Sequence, residues 1–137
     1  MNEKVKQVIV FRKDLKVRKG KAMAQSAHAS FKVFLDQCEK SETSYDINEH
    51  KYTFHYQLKS AWDIWLNGRF TKVVAGCDSE IELLELYNEA KANKLPCSLI
   101  TDAGLTEFNG VPTRTCIAIG PDFSDKIDLI TKHLKLL

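Results

Sequence analysis

The sequence has no long hydrophobic run. The apolar stretch near its N-terminus, Val8–Phe11, is followed at once by Arg12 and Lys13. A secretory signal peptide needs a longer apolar core and a small-residue cleavage site, and a membrane-spanning helix needs about 20 apolar residues. We therefore expect neither a signal peptide nor a spanning helix.

The cysteines are widely and irregularly spaced. The sequence contains no CxxC pair and no Cys/His spacing typical of a zinc finger. Its four cysteines are Cys38, Cys77, Cys97 and Cys116. The last three lie in or beside apolar runs, where a free cysteine behaves as a small hydrophobic residue. The pattern indicates reduced thiols in a cytoplasmic protein.

Familiar catalytic motifs are also missing. There is no GxSxG turn for a serine nucleophile, and no cysteine is placed to replace it. The GxxxxGK[ST] spacing of a phosphate-binding loop is absent, which disfavours a nucleotide-dependent enzyme. His50 and His55 lack a convincing third metal ligand. We therefore expect no metal site and no cofactor.

What the sequence does contain is typical of one globular domain. The chain has 137 residues, of which 44% are hydrophobic and 28% are charged. This composition argues against disordered, collagen-like and coiled-coil classes. A chain of this size buries about two-thirds of its unfolded surface, which is enough for a core. We predict a single domain over residues 1–137, with an extended segment at 38–60.

The charge is concentrated at the N-terminus. The net charge is only +2, from 20 basic and 18 acidic residues. Residues 1–21 hold eight Lys or Arg against Glu3 and Asp14, a local balance of +6. The other residues hold 12 basic and 16 acidic side chains, a balance of −4. A concentrated basic segment predicts an anionic partner.

Strand and helix signals alternate along the chain. Strands are predicted at Val5–Arg12, Phe70–Ala75, Cys97–Thr101 and Thr113–Ile119. Helices are predicted at Lys21–Gln37, at Lys59–Asn67, from Asp78 or Ser79 to Asn93, and from Ser124 or Asp125 onward. This alternation predicts an α/β sandwich, and the short link between the last two strands favours one antiparallel strand. Within the polar segment 38–58, Lys51–Leu58 fits either a short strand or a loop.

The first helix has an apolar face and a polar stripe. At 100° per residue, the apolar side chains form one broad face that we expect to lie on the sheet. This face consists of Met23, Ala24, Ala27, Phe31, Phe34 and Leu35. The adjoining stripe consists of Lys21, Gln25, His28 and Lys32. The stripe either lines a cleft or forms a polar helix edge, with His28 hydrogen-bonded to backbone in the second case.

Two further features point to a ligand site. The run Arg18-Lys19-Gly20-Lys21 begins the first helix, where free N–H groups and the helix dipole favour an anion. The alternative is a solvated basic loop. Asp102 and Thr106 directly follow a strand, at the end where open α/β sheets bind ligands. The alternative there is an Asx turn ahead of Gly104.

Taken together, three stretches resemble the type 2 peptidyl-tRNA hydrolases. They are KQVIVFRKDLKVRKGKAMAQSAHAS (Lys6–Ser30), LPCSLITDAGLTE (Leu95–Glu107) and TRTCIAIGP (Thr113–Pro121), with LKLL at the end of the chain. The GKxxxQxxHA, DAGxT and TxTxxAIGP segments are specific in combination, and the likeness extends from residue 6 to the end. It implies a three-layer α/β sandwich, with a four-stranded mixed sheet, helices on both faces and one strand antiparallel.

The resemblance also implies a function. It implies hydrolysis, without metal, of the ester that joins a peptide to the 3′ end of tRNA, commonly by a homodimer. By motif position, the expected catalytic residues are Lys21, Gln25, His28, Asp102, Thr106 and Thr115. The basic segment is expected to bind tRNA through Arg12, Lys13, Lys16, Arg18, Lys19 and Gly20. The alternative is a non-catalytic RNA-binding or adaptor module of the same fold, although such a module would be expected to lose the polar set.

Two stretches depart from the family pattern. The family usually has proline-glycine before its TxT motif, whereas this chain has Asn109-Gly110-Val111-Pro112, about one residue longer. The segment Cys38–Ser60 is also longer than the family norm. Its aromatic residues, Tyr45, Tyr52, Phe54 and Tyr56, could cover the site, aid dimerisation or pack on the surface, and we favour surface packing.

Overall fold

The computed structural model describes residues 4–44, 46–57, 59–105 and 107–137. The strands within those ranges are β1 (Val5–Arg12), β2 (Glu39–Ser44), β3 (His50–His55), β4 (Lys72–Cys77), β5 (Cys97–Asp102), β6 (Thr113–Phe123) and β7 (Lys135–Leu136). The helices are α1 (Lys19–Gln37), α2 (Ser60–Asn67), α3 (Glu80–Ala92) and α4 (Ser124–Thr131). None of these helices is both long enough and apolar enough to cross a membrane.

Five strands form one mixed sheet, in the order β5-β6-β1-β4-β7. Strands β1 and β4 are parallel, whereas β6 runs antiparallel to both β1 and β5. Strands β1, β4 and β5 therefore point the same way and end at the same edge of the sheet. This edge carries the basic loop after Arg12 and the acidic residue Asp102 at the end of β5.

Helices cover both faces of the sheet. Strand β1 alternates between the two cores, as expected for a strand buried on both sides. Val8 and Val10 pack in the core that contains α3 and α4, whereas Ile9 and Phe11 pack in the core that contains α1 and α2. The predicted α/β sandwich with a mixed sheet is confirmed, as is the antiparallel direction of one of the four predicted strands.

The predicted number of strands needs a correction from four to five. The end of the chain forms β7, which pairs antiparallel with the outer edge of β4, Leu136 lying opposite Ala75. The Leu137 N–H also donates to the Val74 carbonyl at 3.0 Å. An edge strand leaves a row of backbone groups unpaired, and the C-terminal residues satisfy part of that row.

The predicted sheet-facing side of α1 is wrong. Met23 is 64% exposed and Phe31 is 60% exposed, whereas Gln25, Ala29 and Val33 are buried against the sheet. Because the residues between α1 and the sheet are small or polar, the helix can approach the strands closely. The Ser98 hydroxyl donates to the Ala29 carbonyl at 2.7 Å, which fastens α1 to β5. The helix is therefore rotated so that a polar residue, Gln25, faces the sheet.

The polar segment after α1 forms a hairpin of β2 and β3, paired antiparallel from Glu39 opposite His55 to Ser44 opposite His50. Its aromatic side chains pack back onto the helices. The Phe54 ring lies 6.4 Å from that of Phe34, and the Tyr56 ring lies 4.9 Å from that of Trp62. Tyr52 is 42% exposed and stacks on His50. Tyr45 lies outside the described residues.

Candidate active site

The polar residues singled out in the sequence meet where α1 crosses the end of β5. Lys21 and Gln25 lie one turn apart on α1, Asp102 ends β5, and Thr115 lies on β6. Because β6 is the direct neighbour of β5, its first residues lie beside Asp102. Four residues from three separate stretches of sequence thus form one hydrogen-bonded cluster.

Asp102 accepts three hydrogen bonds from described residues. Its Oδ2 atom lies 2.7 Å from the Lys21 ammonium and 3.0 Å from the Gln25 amide nitrogen. Its Oδ1 atom accepts from the Gly104 N–H at 2.7 Å. The Lys21 and Asp102 side chains are only 16% and 12% exposed, so this ion pair is largely shielded from solvent.

The Gln25 amide is held from behind by Thr115. The buried Thr115 hydroxyl donates to Gln25 Oε1 at 2.6 Å, so that the amide nitrogen is turned toward Asp102. The Cys116 thiol donates to the Gln25 backbone carbonyl at 3.3 Å. The buried Gln25 amide therefore links Thr115 on β6 to the Asp102 carboxylate at the end of β5.

These contacts hold Asp102 in its charged form. The hydrogen bond from Lys21 lowers the pKa of Asp102, and the Gly104 N–H, the Lys21 charge and Gln25 act in the same direction. Partial burial opposes them. The carboxylate is consequently ionised at neutral pH, and it is a weak base but a well-fixed anion and hydrogen-bond acceptor.

The cysteines closest to the sheet core are unsuited to nucleophilic attack. Burial raises the pKa of Cys77 to about 11 and that of Cys116 to about 12, so both thiols stay protonated at neutral pH. All four cysteines are free thiols. Within the ranges that the structure describes, no group of three or more His, Cys, Asp or Glu side chains is arranged to hold a metal ion.

The Asx turn predicted after β5 is confirmed, and the ligand site predicted for the same segment stays a prediction. The Gly104 N–H bond to Asp102 is the Asx turn, and the same carboxylate is the centre of the cluster. Gly104 has φ +82, a conformation that side chains disfavour, and a Cβ there would collide with the Val111 carbonyl. The Gly110 N–H closes the loop onto the Gly104 carbonyl at 2.7 Å.

One predicted site residue, His28, stands apart from this cluster. Thr106 lies outside the described residues. His28 is exposed and lines a cavity with Phe31 and Ile100. None of the hydrogen bonds among described residues joins His28 to Asp102. The two roles predicted for His28, a catalytic residue or a helix-edge residue hydrogen-bonded to backbone, therefore stay predictions.

The basic segment divides into an anchored residue and exposed ones. The Arg12 guanidinium is held by Asp14 at 2.7 Å and by the Arg114 carbonyl at 2.9 Å, and it also faces Glu80 at 3.5 Å. The cations that follow are exposed: Lys13, Lys16, Arg18 and Lys19. Lys13 pairs with Asp78 at 3.3 Å and Arg18 with Glu107 at 3.0 Å. A Cβ at Gly20 would meet open space.

Sequence reasoning missed one neighbour of the site. The Phe108 ring lies 5.8 Å from the Lys21 nitrogen, which is within cation–π range. Phe108 comes from the loop after β5 and belongs to none of the motif segments. Its only sequence signal is its place two residues after Thr106.

An α/β sandwich with an ionised carboxylate, an ammonium group and an oriented amide at its strand ends has the chemistry of a hydrolase that activates water. The family described as "Peptidyl-tRNA hydrolase PTH2" matches residues 5–137. The chain therefore belongs to the peptidyl-tRNA hydrolase PTH2 family, which confirms the resemblance seen in the sequence.

Several archaeal proteins are similar to the chain over nearly its full length. The peptidyl-tRNA hydrolase of Methanocaldococcus jannaschii is 42% identical over 133 residues, covering 97% of this chain and 100% of that protein. The peptidyl-tRNA hydrolase of Methanopyrus kandleri is 42% identical over 132 residues, covering 96% and 97%. That of Thermococcus onnurineus is 38% identical over 135 residues, also covering 96% and 97%.

The lowered pKa of Asp102 predicts a pH-dependent contribution to stability. A carboxylate favoured in the folded state stabilises it above the unfolded-state pKa of about 3.9, and this contribution is lost as the pH falls through the lower folded-state pKa. Asp102→Asn should therefore lower the free energy of unfolding at pH 7 by on the order of 1–3 kcal/mol, because the ion pair with Lys21 is lost. Urea unfolding of both proteins at pH 7, 5 and 3 measures this difference. The stability difference between the two proteins should shrink at pH 3. A difference that stays constant from pH 7 to pH 3 would contradict the lowered pKa of Asp102.

Proposed function

We propose that this chain hydrolyses the ester between a peptide and the 3′ end of tRNA, without a metal ion, and so releases tRNA for reuse. The observation that carries this proposal is the shielded Lys21–Asp102 pair, at 2.7 Å, with Gln25 oriented on the same carboxylate oxygen. Membership of the family supplies the substrate class. Four of the six expected catalytic residues form one hydrogen-bonded cluster, which favours an enzyme over a non-catalytic module: Lys21, Gln25, Asp102 and Thr115.

The reaction joins one water to one ester. The water oxygen forms a bond to the ester carbonyl carbon, the carbonyl becomes a tetrahedral oxyanion, and the bond from carbon to the ribose oxygen then breaks. One water proton must reach the departing ribose oxygen, and the other stays with the new carboxyl group. The site must therefore orient water, stabilise the oxyanion and pass a proton.

Asp102 is proposed to orient the water. A carboxylate offers about four lone-pair positions, and the described residues fill three of those on Asp102. A water hydrogen can take the remaining position, on Oδ1. Because its pKa is lowered, Asp102 orients water better than it removes a proton. As the water oxygen bonds to the ester carbon, its proton becomes acidic enough to pass to Asp102. The Lys21 ammonium donates a proton to the departing ribose oxygen and recovers one from Asp102 across their hydrogen bond.

Lys21 is proposed to stabilise the oxyanion. Its ammonium is fixed beside the carboxylate in a partly buried setting, where a positive charge interacts more strongly with a developing negative charge than in bulk water. Gln25 and Thr115 position the carboxylate from behind. Thr106 is proposed for a positioning role from its place in the DAGxT segment alone.

Loss of either charge in the pair should slow hydrolysis. Lys21→Ala and Asp102→Asn should each reduce the single-turnover rate on N-acetyl-aminoacyl-tRNA at least tenfold, and loss of one such electrostatic group typically costs about 10²–10³. Lys6→Ala is the control, because it breaks a more exposed lysine–aspartate ion pair, with Asp128, elsewhere in the fold. Circular dichroism checks folding. Near-normal hydrolysis rates in both Lys21→Ala and Asp102→Asn would refute the assignment of this pair as catalytic. A wild-type protein that binds tRNA but does not hydrolyse the ester would favour the adaptor function.

The exposed cations of the basic segment are proposed to contact tRNA phosphates. Lys13, Lys16 and Arg18 lie between β1 and α1, and Lys19 begins α1, at the end of the sheet that carries Asp102. No side chain caps the N-terminus of α1 at Arg18, and the backbone at Gly20 is sterically open, which supports phosphate binding by the helix end. Arg12 is proposed to hold the loop in place through Asp14 rather than to bind RNA directly.

Neutralising two of these cations should change the salt dependence of tRNA binding. In Lys16→Gln/Lys19→Gln, the slope of log K against log salt should become shallower by about 1–2, because fewer counterions are released. The control is Lys91→Gln/Lys132→Gln, with Lys91 on α3 and Lys132 just after α4. Binding titrations between 50 and 300 mM salt measure the slopes. An unchanged slope in the first variant, or equal changes in both, would remove phosphate recognition from this loop.

We further propose a cytoplasmic homodimer. The four free thiols support a reducing compartment. The exposed apolar side chains Ile64, Leu66 and Phe70, on α2 and just after it, supply a surface that a second copy would cover. Sedimentation velocity at micromolar concentration should show a dimer that Leu66→Glu converts to monomer. A wild-type monomer at these concentrations would contradict the proposal.

A further inference from the structure

Strand β5 is an edge strand whose end is the proposed catalytic carboxylate. It lies at one end of the sheet order and pairs with β6 along one side. Among the described strands, none pairs with its other side. An edge strand of this kind presents a row of backbone N–H and C=O groups to which an extended chain can bind.

A cavity runs beside this strand on the face that carries Asp102. Ile100 and Asp102 are two residues apart, so their side chains share one face of the sheet at a spacing of about 7 Å. Ile100 and α1 together form a cavity of about 550 Å³. Its lining is Ala27, His28, Phe31, Lys32, Leu35, Asp36 and Ile100.

The cavity is open and largely apolar. Phe31 is 60% exposed and Leu35 is 41% exposed, although both are large hydrophobic residues on the same helix. Lys32 and Asp36 pair with each other at 2.9 Å and so leave the cavity with no net charge from that pair. A neutral apolar cavity is unsuited to a polyanion, and the exposed lysines of the basic segment lie at the other end of α1.

We propose that the peptide part of the substrate binds along the free edge of β5 as an added strand, with side chains in the cavity between Ile100, Phe31 and Leu35. This inference rests on the proposed function, and it assigns the substrate class at that site: an extended peptide of unrestricted sequence. The tRNA then lies on the opposite side of the Lys21–Asp102 pair, over the basic segment.

The direction of β5 determines the direction of the peptide. β5 runs from Cys97 to Asp102, so a peptide parallel to it has its C-terminus at Asp102. The C-terminal carbonyl is the carbon of the ester that must be hydrolysed. An antiparallel peptide would place its N-terminus there instead. The six residues of β5 span about 20 Å, enough for four or five peptide residues.

Main-chain pairing also suits an enzyme that must bind peptides of many different sequences. Strand addition gains affinity from backbone hydrogen bonds, which every peptide offers, and an apolar cavity adds a preference without a strict sequence. His28 lies in this lining one turn beyond Gln25 on α1. It would therefore contact the peptide, which gives this motif histidine a position outside the proton path.

The test compares two substrates on the same tRNA, one with a single N-acetylated residue and one with an N-acetylated tetrapeptide. Only the longer peptide extends past Ile100, so kcat/KM of the wild type should be about tenfold higher for it. In Phe31→Ser/Leu35→Ser this advantage should fall below threefold, with little change for the short substrate. Ile81→Ser/Leu129→Ser is the matched control, since both residues are highly exposed on the opposite helices.

The outcomes separate this inference from the proposed function. Hydrolysis of both substrates at equal rates by the wild type would overturn the peptide site and leave the hydrolase intact. No hydrolysis of either substrate would overturn the proposed function as well. An equal loss on both substrates in the cavity variant would also overturn the peptide site.

A second measurement needs no variant of the protein. In an added strand, only alternate residues direct their N–H and C=O groups toward the neighbouring strand. Tetrapeptide substrates are therefore N-methylated at the second or at the third residue from the ester. One of the two should lose at least tenfold in wild-type kcat/KM, and the other less than threefold. Equal effects at both positions would overturn strand addition.

Discussion

The ion pair between Lys21 and Asp102 is the constraint on which the rest of the site depends. It joins the beginning of α1 to the end of β5, two elements far apart in the sequence. To form it, α1 must turn a polar side, including the buried Gln25, toward the sheet. The close contact of Ala29 with Ser98 allows this, because a small residue and a hydroxyl leave room for the helix to approach. The low exposure strengthens the interaction between the two charges, and the hydrogen bonds from Lys21, Gly104 and Gln25 outweigh the cost of burial and keep Asp102 ionised.

This pair also divides the surface of the protein by charge. The segment between β1 and α1 supplies exposed cations at one side of the pair, where phosphates are favoured. The other side follows β5 and the exposed apolar residues Phe31 and Leu35. A substrate that is nucleic acid at one end and peptide at the other needs such a division. The net charge of +2 does not reveal this uneven distribution of charge, because the acidic residues lie mainly elsewhere in the chain.

Much of the fold and the cluster could be predicted from the sequence. Strand β1 was predicted with its observed limits, because its β-branched residues fill both cores. The spacing of Lys21 and Gln25 indicated one helix face, and the place of Asp102 after a strand indicated a ligand site. The sheet-facing side of α1 could not be predicted by counting large apolar residues, since Ala29 and Gln25 occupy that interface. Strands β2 and β7 were missed because both depend on pairing partners rather than on local pattern, and β3 was predicted only as one of two alternatives for Lys51–Leu58.

The central claim is that Lys21 and Asp102 act as one catalytic unit. A double-mutant cycle on single-turnover hydrolysis of peptidyl-tRNA tests it most directly, with Lys21→Met, Asp102→Asn and the double variant compared with the wild type. Groups that act as a unit lose most of their effect when either one is removed, so their losses are not multiplicative. The rate of the double variant should lie within about threefold of the slower single variant. A double variant whose loss equals the product of the two single losses would contradict the account.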